Sequence, residues 1–310
     1  MNNQTKGPDL SVKLGKLTLK NPVMLASGTS GYGEEYARFI DLNEIGGICV
    51  KGTSLNPSLG TPPGRVYETA SGMLNAIGLQ NVGVGKFIKE KLPFLRQIDT
   101  RVIVNIYGNT HEDYYEVARK LDGVEGVAAL EMNISCPNVA EGCMLFGVNP
   151  KLTYEVVNKV RKATLLPLMV KLSPNVTDIT VLARAAAEGG ADILSMINCP
   201  TGMAIDIKTR RPLLANVTGG LSGPAIKPIA LRMVWQVHNA KLGLPLVGIG
   251  GITTATDAIE FFLAGASAVQ VGSASFVDPE ASLKVARGIK QYCLEQGIQN
   301  VSELVGALKA

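Results

Sequence analysis

Residues 128–138 read Ala-Ala-Leu-Glu-Met-Asn-Ile-Ser-Cys-Pro-Asn, an apolar run that ends abruptly in polar groups and proline. A strand that is covered on both faces is nearly continuous in apolar residues, as this run is. Because Pro137 cannot donate to a strand ladder, Ser135, Cys136 and Asn138 are predicted to lie on the loop that follows. In parallel α/β proteins, such loops carry the reactive groups.

Further apolar runs, rich in Val and Ile, alternate with amphipathic stretches along the chain. The eight predicted strands are Val23–Ala26, Ile48–Val50, Val102–Ile106, Ala129–Ile134, Leu168–Leu172, Ile193–Ile197, Leu246–Ile249 and Ala268–Val271. The predicted helices lie near Glu34–Phe39, Val84–Phe94, Glu112–Leu121, Lys151–Ala163, Ile179–Glu188, Pro228–Ala240, Ala255–Ala264 and Pro279–Gln296. Eight strand–helix units are typical of a (β/α)₈ TIM barrel, although a doubly wound sheet also alternates strand and helix.

The segments outside this alternation are also informative. Residues Leu10–Leu19 alternate apolar and polar side chains on both sides of a Gly-Lys pair, which predicts an N-terminal β-hairpin. Long insertions follow strands two, four and six, at Ser54–Val82, Pro137–Pro150 and Pro200–Pro224. Loops of this length are usually lids or binding loops. Since no linker or low-complexity tract divides the chain, we expect a single barrel domain over residues 1–310.

Every predicted strand ends in glycine or a polar residue. The main examples are Ser27, Gly28, Lys51, Gly52, Asn105, Asn133, Lys171, Asn198, Cys199, Gly250, Gly251, Gly272 and Ser273. In a barrel these ends converge on one mouth, whereas in an open sheet they spread along an edge. The lysines and asparagines predict a polar ligand with an anionic group. The glycine-rich loops after strands seven and eight predict that backbone N–H groups bind phosphate there.

Composition narrows the class of ligand. The chain has 30 basic and 26 acidic residues, a net charge of +4 without a basic cluster, so we expect a small-molecule substrate and no nucleic acid.

The N-terminus lacks the apolar core of a signal peptide, and no apolar run approaches the ~18 residues of a membrane span, so we expect a cytoplasmic protein. Five scattered cysteines without a Cys-x-x-Cys pair argue against a disulfide framework, a metal site and an iron–sulfur cluster in this chain.

Cys136 is the candidate base or nucleophile. A lone cysteine is usually buried and inert, but its position after a strand and before proline predicts an exposed, reactive thiol. His111 precedes a predicted helix and His238 lies near the end of another, so neither is expected at the mouth. A Schiff base at Lys171 remains an alternative.

Glu131 lies inside a predicted barrel strand. A buried carboxylate needs a partner, so we expect a structural ion pair or hydrogen bonds there in preference to a catalytic role.

With these motifs the chain resembles the class 1 dihydroorotate dehydrogenases, flavin enzymes of pyrimidine synthesis, from about Leu10 to its C-terminus. The motifs that carry the resemblance are Asn21–Gly28, Leu74–Asn81, Asn133–Asn138 and Lys171–Asn175. The stretch Ala215–Pro228 is similar to the NAD-linked subclass, 1B.

The resemblance implies a cofactor, FMN, in the barrel mouth. It implies FMN contacts from Ser27, Lys51, Gly52, Asn105, Asn133, Lys171, Ile197, Gly223, Gly250, Gly251, Gly272 and Ser273. It also implies orotate contacts from Lys51, Asn75, Ala76, Ile77, Gly78, Leu79, Asn133, Asn198 and the residue at Cys199. By analogy, Cys136 takes the C5 proton of dihydroorotate while hydride leaves C6 for flavin N5.

The route by which electrons leave the flavin depends on a partner. The sequence has neither a nicotinamide-binding fingerprint nor a cluster motif. Subclass 1B resemblance implies a second subunit with FAD and a [2Fe–2S] cluster, in an α₂β₂ assembly that is built on a homodimer of this chain and reduces NAD⁺. Fumarate-using class 1A relatives share the barrel and the cysteine, so fumarate is the alternative acceptor. A flavin-free aldolase that uses Lys171 and a non-catalytic scaffold are the competing hypotheses.

Two positions depart from the family pattern. The family usually has Asn-Thr after strand six, whereas this chain has Asn198-Cys199, and it usually has Gly-Gly in the loop after the reactive cysteine, where Gly142 here precedes Cys143. The substrate contact at Cys199 and the flexibility of that loop are therefore expected to differ from the family.

Overall fold

A computed structural model of the chain describes residues 7–134 and 146–309. The strands are β1 (Val12–Leu14), β2 (Leu17–Leu19), β3 (Val23–Leu25), β4 (Gly47–Thr53), β5 (Val66–Thr69), β6 (Gly72–Asn75), β7 (Arg101–Ile106), β8 (Ala129–Asn133), β9 (Leu168–Lys171), β10 (Ile193–Met196), β11 (Thr201–Met203), β12 (Ile205–Asp206), β13 (Arg211–Pro212), β14 (Thr218–Ser222), β15 (Leu246–Ile249) and β16 (Ala268–Val271). Strands β3, β4, β7, β8, β9, β10, β15 and β16 are parallel neighbours in that order and close into a barrel. The predicted TIM-barrel fold is confirmed.

Helices surround the barrel and cover its apolar strands. They are α1 (Gly83–Lys86), α2 (Leu92–Leu95), α3 (His111–Leu121), α4 (Pro150–Arg161), α5 (Ile179–Glu188), α6 (Lys227–Asn239), α7 (Ala255–Leu263), α8 (Ala274–Val277) and α9 (Ala281–Glu295). Helices α3 and α7 begin in capping boxes, in which a threonine side chain and an aspartate three residues later satisfy each other's backbone N–H groups. No helix in the described ranges is long and apolar enough to cross a membrane.

Two helix predictions require correction. Residues 34–39 form consecutive turns instead of a helix. Two N–H groups, three and four residues later, share the Gly33 carbonyl, and two more share that of Tyr36, so the bonds do not advance one residue at a time as in an α-helix. The helix predicted over Val84–Phe94 is interrupted by a π-helical turn, Phe87–Lys91. Pro93 has no N–H to donate to the carbonyl four residues before it, which disfavours a continuous α-helix.

The N-terminal hairpin forms as predicted, since β1 pairs antiparallel with β2. It lies at the amino ends of the barrel strands, where the guanidinium Nε of Arg101, the first residue of β7, donates to the carbonyl of Thr18 over 3.1 Å. The opposite end of the barrel, where the strands finish, is thereby left for the insertions.

The insertions after β4 and β10 pair with each other. Their strands form one four-stranded antiparallel sheet in the order β11, β14, β6, β5. Both insertions leave the barrel at the carboxyl ends of their strands, so this sheet lies beside the mouth. The insertion predicted over Pro137–Pro150 falls mostly outside the described residues.

The close approach of β3 and β4 predicts a strict requirement for glycine at position 46. A Cβ built on Gly46 lies 2.0 Å from the backbone oxygen of Asn21, whereas a Cβ on Gly85 meets no atom within 4 Å. Gly46→Ala is expected to destabilise the protein by about 1–3 kcal/mol, because the barrel backbone must move. Thermal unfolding measures this, with Gly85→Ala as the matched control. Equal melting temperatures for the two variants would contradict the packing described.

Candidate functional site

The barrel mouth holds a cavity of about 350 Å³, within the usual size range of small-molecule sites. Its wall combines strand ends from the barrel with residues of the insertion sheet. Every residue predicted to contact the cofactor lines it: Ser27, Lys51, Gly52, Asn105, Asn133, Lys171, Ile197, Gly223, Gly250, Gly251, Gly272 and Ser273. Loops that are far apart in sequence therefore meet at one site, as convergence of the strand ends predicts.

Below the cavity, the carboxylate of Glu131 is completely buried in the barrel interior. Nζ of Lys171 lies 3.7 Å from its Oε1. The other donors to the two carboxylate oxygens are Asn105 at 2.7 Å, Gln270 at 2.7 Å, Cys49 at 3.2 Å and Ser195 at 3.2 Å. Burial raises the pKa of Glu131, but the Lys171 charge and these donors outweigh it and hold the pKa below its usual value. The expected structural pairing of Glu131 is present.

Lys171 connects this buried cluster to the mouth. Its side chain is almost fully buried, lines the cavity, and donates from Nζ to Ser27 Oγ over 3.4 Å. In the register of β8 and β9, Lys171 is directly opposite Asn133. The ammonium is thus positioned between a fixed carboxylate and the ligand space.

Lys51 is the second lysine of the mouth. Burial lowers the pKa of Lys51, Glu35 opposes this shift, and the positive charge of Arg65 adds to it. Among the residues that the structure describes, no carboxylate lies within ion-pair distance of the Lys51 ammonium. A half-buried cation in this setting favours an anionic ligand.

Amide side chains supply directional hydrogen bonding around the same space. Asn198 Nδ2 donates to Asn133 Oδ1 over 3.1 Å, and Asn75 Nδ2 donates to the carbonyl of Gly220 over 3.2 Å. These bonds fix the orientations of the Asn198, Asn133 and Asn75 amides. Each amide has both a donor and an acceptor group to offer a ligand.

Cys199 lines the cavity at the position where the family pattern has threonine. Burial raises the pKa of its thiol although the Lys171 charge opposes this, so the thiol stays protonated near neutral pH. A protonated thiol is a weak hydrogen-bond donor and a poor nucleophile. The structure therefore gives Cys199 no sign of a reactive role.

The loop after β15 matches the requirements of a phosphate cradle. Gly250 has φ 135°, and a Cβ there lies 2.7 Å from the Ala230 side chain. Gly251 has φ 68°, and its Cβ lies 2.9 Å from the carbonyl oxygen of Gly223. Only glycine fits both positions, which leaves the backbone bare and open to close approach by a ligand. These features fit a flavin phosphate.

All but one of the predicted substrate contacts lie at the cavity. Lys51, Asn75, Ile77, Gly78, Leu79, Asn133, Asn198 and Cys199 line the cavity. Ala76 does not; it is fully buried in a small cluster with Leu74 and Leu214. Cys136, the predicted base, lies outside the described residues, as do Ser135, Asn138 and Cys143.

Neither histidine reaches the mouth: His111 begins α3, His238 belongs to α6, and neither lines the cavity. Within residues 7–134 and 146–309, no group of three or more His, Cys, Asp or Glu side chains is arranged to hold a metal ion.

Sequence reasoning missed Arg65, which lines the cavity from the insertion after β4. Its guanidinium donates to Gln80 Oε1 over 2.7 Å and to the carbonyl of Leu59 over 3.1 Å. A single arginine in a long insertion carries no periodic signal. Arg65 reaches the mouth because β5, which follows it directly, pairs with β6.

Comparison with known proteins gives consistent matches. Residues 9–293 match the family model described as "Dihydroorotate dehydrogenase". The "Dihydroorotate dehydrogenase B (NAD(+)), catalytic subunit" of Geotalea uraniireducens is 60% identical over 301 residues, which cover 97% of this chain and 98% of that protein. The protein of the same name from Geobacter metallireducens is 59% identical over 304 residues, covering 98% and 99%. The solved structure of DHODH from Eimeria tenella in complex with ferulenol has a TM-score of 0.80 at 23% identity, covering 99% and 90%, and so shows the same fold.

The buried carboxylate predicts a specific pH dependence of stability. Because the folded pKa of Glu131 is below its unfolded value near 4.5, its contribution is complete above that value and is lost as pH falls through the folded pKa. Glu131→Gln is expected to lower stability most at neutral pH, and the difference from the parent should shrink as the solution is acidified below pH ~4.5. Denaturant unfolding at several pH values measures this, with the exposed Glu125→Gln as control. A difference that does not change with pH would contradict the assigned ionisation.

Proposed function

The chain belongs to the dihydroorotate dehydrogenase family, and from this premise we propose that it oxidises dihydroorotate to orotate at the barrel mouth, with FMN as its cofactor. The observation that carries the proposal is the cavity itself, which brings the glycine cradle, two lysines and a set of asparagines to one place. A polar, anion-accepting site of this composition suits both a flavin phosphate and a pyrimidine carboxylate.

FMN, when bound, supplies the acceptor for the hydride that leaves C6 of dihydroorotate. The residues proposed to hold it are those of the cofactor set that line the cavity, with the phosphate at Gly250, Gly251, Gly272 and Ser273. Lys171 and Asn105, which Glu131 already fixes in position, would contact the flavin. The buried cluster therefore orients the floor of the site before any ligand arrives.

The substrate is proposed to bind between Lys51 and the asparagine amides. Lys51 pairs with the carboxylate, because it is a half-buried cation of the cavity wall with no carboxylate within ion-pair distance in the described structure. Asn75, Asn133 and Asn198 then bond the ring carbonyl and N–H groups, for which amides offer both donors and acceptors. Binding in this orientation presents C5 and C6 of the ring to the reacting groups.

Cys136 is proposed as the base that removes the C5 proton. It follows Asn133, the last residue of β8, by three positions in the sequence. As the proton passes to the thiolate sulfur and hydride leaves C6, the C5–C6 double bond of orotate forms. A thiolate is a competent base near neutral pH, and neither histidine of the chain lies at the mouth to replace it.

The electrons are proposed to leave through a partner subunit that carries FAD and a [2Fe–2S] cluster, in an α₂β₂ assembly that reduces NAD⁺. The word "subunit" in the names of the curated relatives, and NAD(+) beside it, support this assignment. Fumarate is the alternative acceptor. Reoxidation of the reduced protein with each acceptor, with and without a co-purified iron–sulfur subunit, distinguishes the two.

The aldolase hypothesis receives no support from the geometry. A Schiff base requires a neutral amine, whereas the Lys171 ammonium lies against the Glu131 carboxylate. Borohydride trapping of substrate on Lys171 is the result that would favour it.

We expect a yellow protein whose flavin absorbance is lost when dihydroorotate is added without oxygen.

Cys136→Ser is expected to slow this reduction of the flavin at neutral pH by about 100-fold or more, since a positioned base contributes at least that much. The remaining rate should rise more steeply toward alkaline pH, because a hydroxyl is a weaker acid than a thiol. Stopped-flow absorbance measures both, with Cys293→Ser in α9 as the control. A colourless protein, or one unresponsive to dihydroorotate, would contradict the function.

The role of Lys51 makes a separate prediction. Lys51→Gln is expected to weaken orotate binding about 10- to 100-fold, the range for loss of a charged hydrogen bond. Lys86→Gln, which removes the same charge from the exposed surface of α1, should leave the affinity unchanged. Isothermal titration of the FMN-loaded protein measures this, and equal affinities for both variants would exclude Lys51 as the carboxylate partner.

A further inference from the structure

We infer that Asn81 and Tyr107 are positioning residues that set the shape of the substrate loop, defined as residues 75–79. This inference rests on the proposed function, because it concerns the loop proposed to contact orotate. Neither Asn81 nor Tyr107 lines the cavity, so any effect on the ligand passes through the backbone of the loop.

The last residue of the substrate loop has an unfavourable backbone conformation. Leu79 has φ 54°, in the left-handed region that non-glycine residues rarely adopt. Its carbonyl oxygen accepts two hydrogen bonds, from Asn81 Nδ2 at 2.9 Å and from the Tyr107 hydroxyl at 3.0 Å. Strained conformations of this kind persist where surrounding contacts stabilise them, and these two bonds act directly on the strained peptide.

Asn81 also ties the loop to the barrel. Its Oδ1 accepts from the backbone N–H of Ser54 at 3.2 Å and of Gly83 at 2.8 Å, while its Nδ2 lies 2.9 Å from the Tyr107 hydroxyl oxygen. Ser54 comes directly after β4, and Tyr107 directly after β7. Because Asn81 is itself buried, these bonds are protected from competition by water.

The two strands concerned are those that carry ligand-facing side chains. Strand β4 contains Lys51, and β7 contains Asn105. A loop anchored at the ends of both strands has a fixed distance to both side chains. Asn81 and Tyr107 thus set the spacing between the loop and the barrel part of the site.

The opposite edge of the loop is held by backbone pairing. The N–H of Thr61 donates to the carbonyl of Ile77 over 3.1 Å, and Ser58 exchanges two backbone hydrogen bonds with Asn81. With this edge fixed, release of the Leu79 carbonyl changes the loop at its end nearest the barrel. The expected consequence is weaker binding of ligand, with the fold retained.

Tyr107→Phe tests the inference, because it removes only the hydroxyl that bonds Leu79. The substitution removes the bond to the Leu79 carbonyl and the bond that the hydroxyl accepts from Asn81 Nδ2. We expect it to weaken orotate binding to the FMN-loaded protein about fivefold, the effect of releasing the Leu79 carbonyl from one of its two donors. The matched control is Tyr32→Phe, which removes a hydroxyl that accepts from the N–H of Val82 over 3.3 Å and has no bond to Leu79. The control should change the affinity less than twofold, and equal losses in both variants would overturn the inference.

Asn81→Asp gives a second test with nearly the same shape. An aspartate retains the acceptor bonds to Ser54 and Gly83, but it places an oxygen against the Leu79 carbonyl in place of a donor. We expect a greater loss of orotate affinity than for Tyr107→Phe. An affinity equal to that of the parent would overturn the assignment of Asn81.

A double-mutant cycle separates positioning of Leu79 from general loss of structure. Glycine adopts a positive φ without strain, so in a Leu79→Gly background the loss caused by Tyr107→Phe should fall below twofold. The same fivefold loss in both backgrounds would show that the hydroxyl does not act through the strained peptide.

Hydrogen exchange keeps this test distinct from the test of the proposed function. Tyr107→Phe should speed exchange of the substrate-loop amides about fivefold without ligand, whereas Tyr32→Phe should not. If the parent protein fails to bind orotate, the proposed function fails, while the exchange result still decides the structural role. If the parent binds orotate and neither affinity nor exchange responds to Tyr107→Phe, the inference itself is wrong.

Discussion

The ion pair between Glu131 and Lys171 in the barrel interior is the interaction on which the site depends. The Glu131 carboxylate on β8 is bonded by side chains from β4, β7, β9, β10 and β16, so one buried charge connects most of the barrel wall. Removing a carboxylate from water is costly, and only near-complete pairing offsets that cost. Here the Lys171 charge and the surrounding donors keep the carboxylate ionised. The same contacts fix Asn105 and Lys171 in place at the bottom of the cavity.

Above this cluster the net charge of the cavity wall becomes positive. Glu131 is matched by Lys171, whereas Lys51 and Arg65 add positive charge to the cavity wall from β4 and its insertion. The Nε of Arg65 is buried and has no hydrogen-bond partner among the described residues. An anionic ligand would therefore balance the positive charge of the cavity wall, which supports the phosphate and the carboxylate of the proposed function.

The barrel was predictable because its strands are short apolar runs that end in glycine or polar residues, and the convergence of those ends follows from the closed topology. The pairing of β6 with β14, which lie about 145 residues apart, has no local signal, so the sheet beside the mouth and the position of Arg65 could not be read from the sequence. Ala76 shows the same limit, because burial against Leu214 depends on that pairing. The turns at residues 34–39 show that an amphipathic pattern over only six residues is too short to specify a helix.

One barrel mouth is proposed to hold both FMN and orotate, with the buried cluster below them. A crystal structure of the protein with both ligands tests it most directly. We expect the FMN phosphate at the backbone of Gly250, Gly251 and Gly272, and the orotate carboxylate within hydrogen-bond distance of Lys51. Orotate bound elsewhere, or a flavin whose phosphate lies away from these glycines, would contradict it.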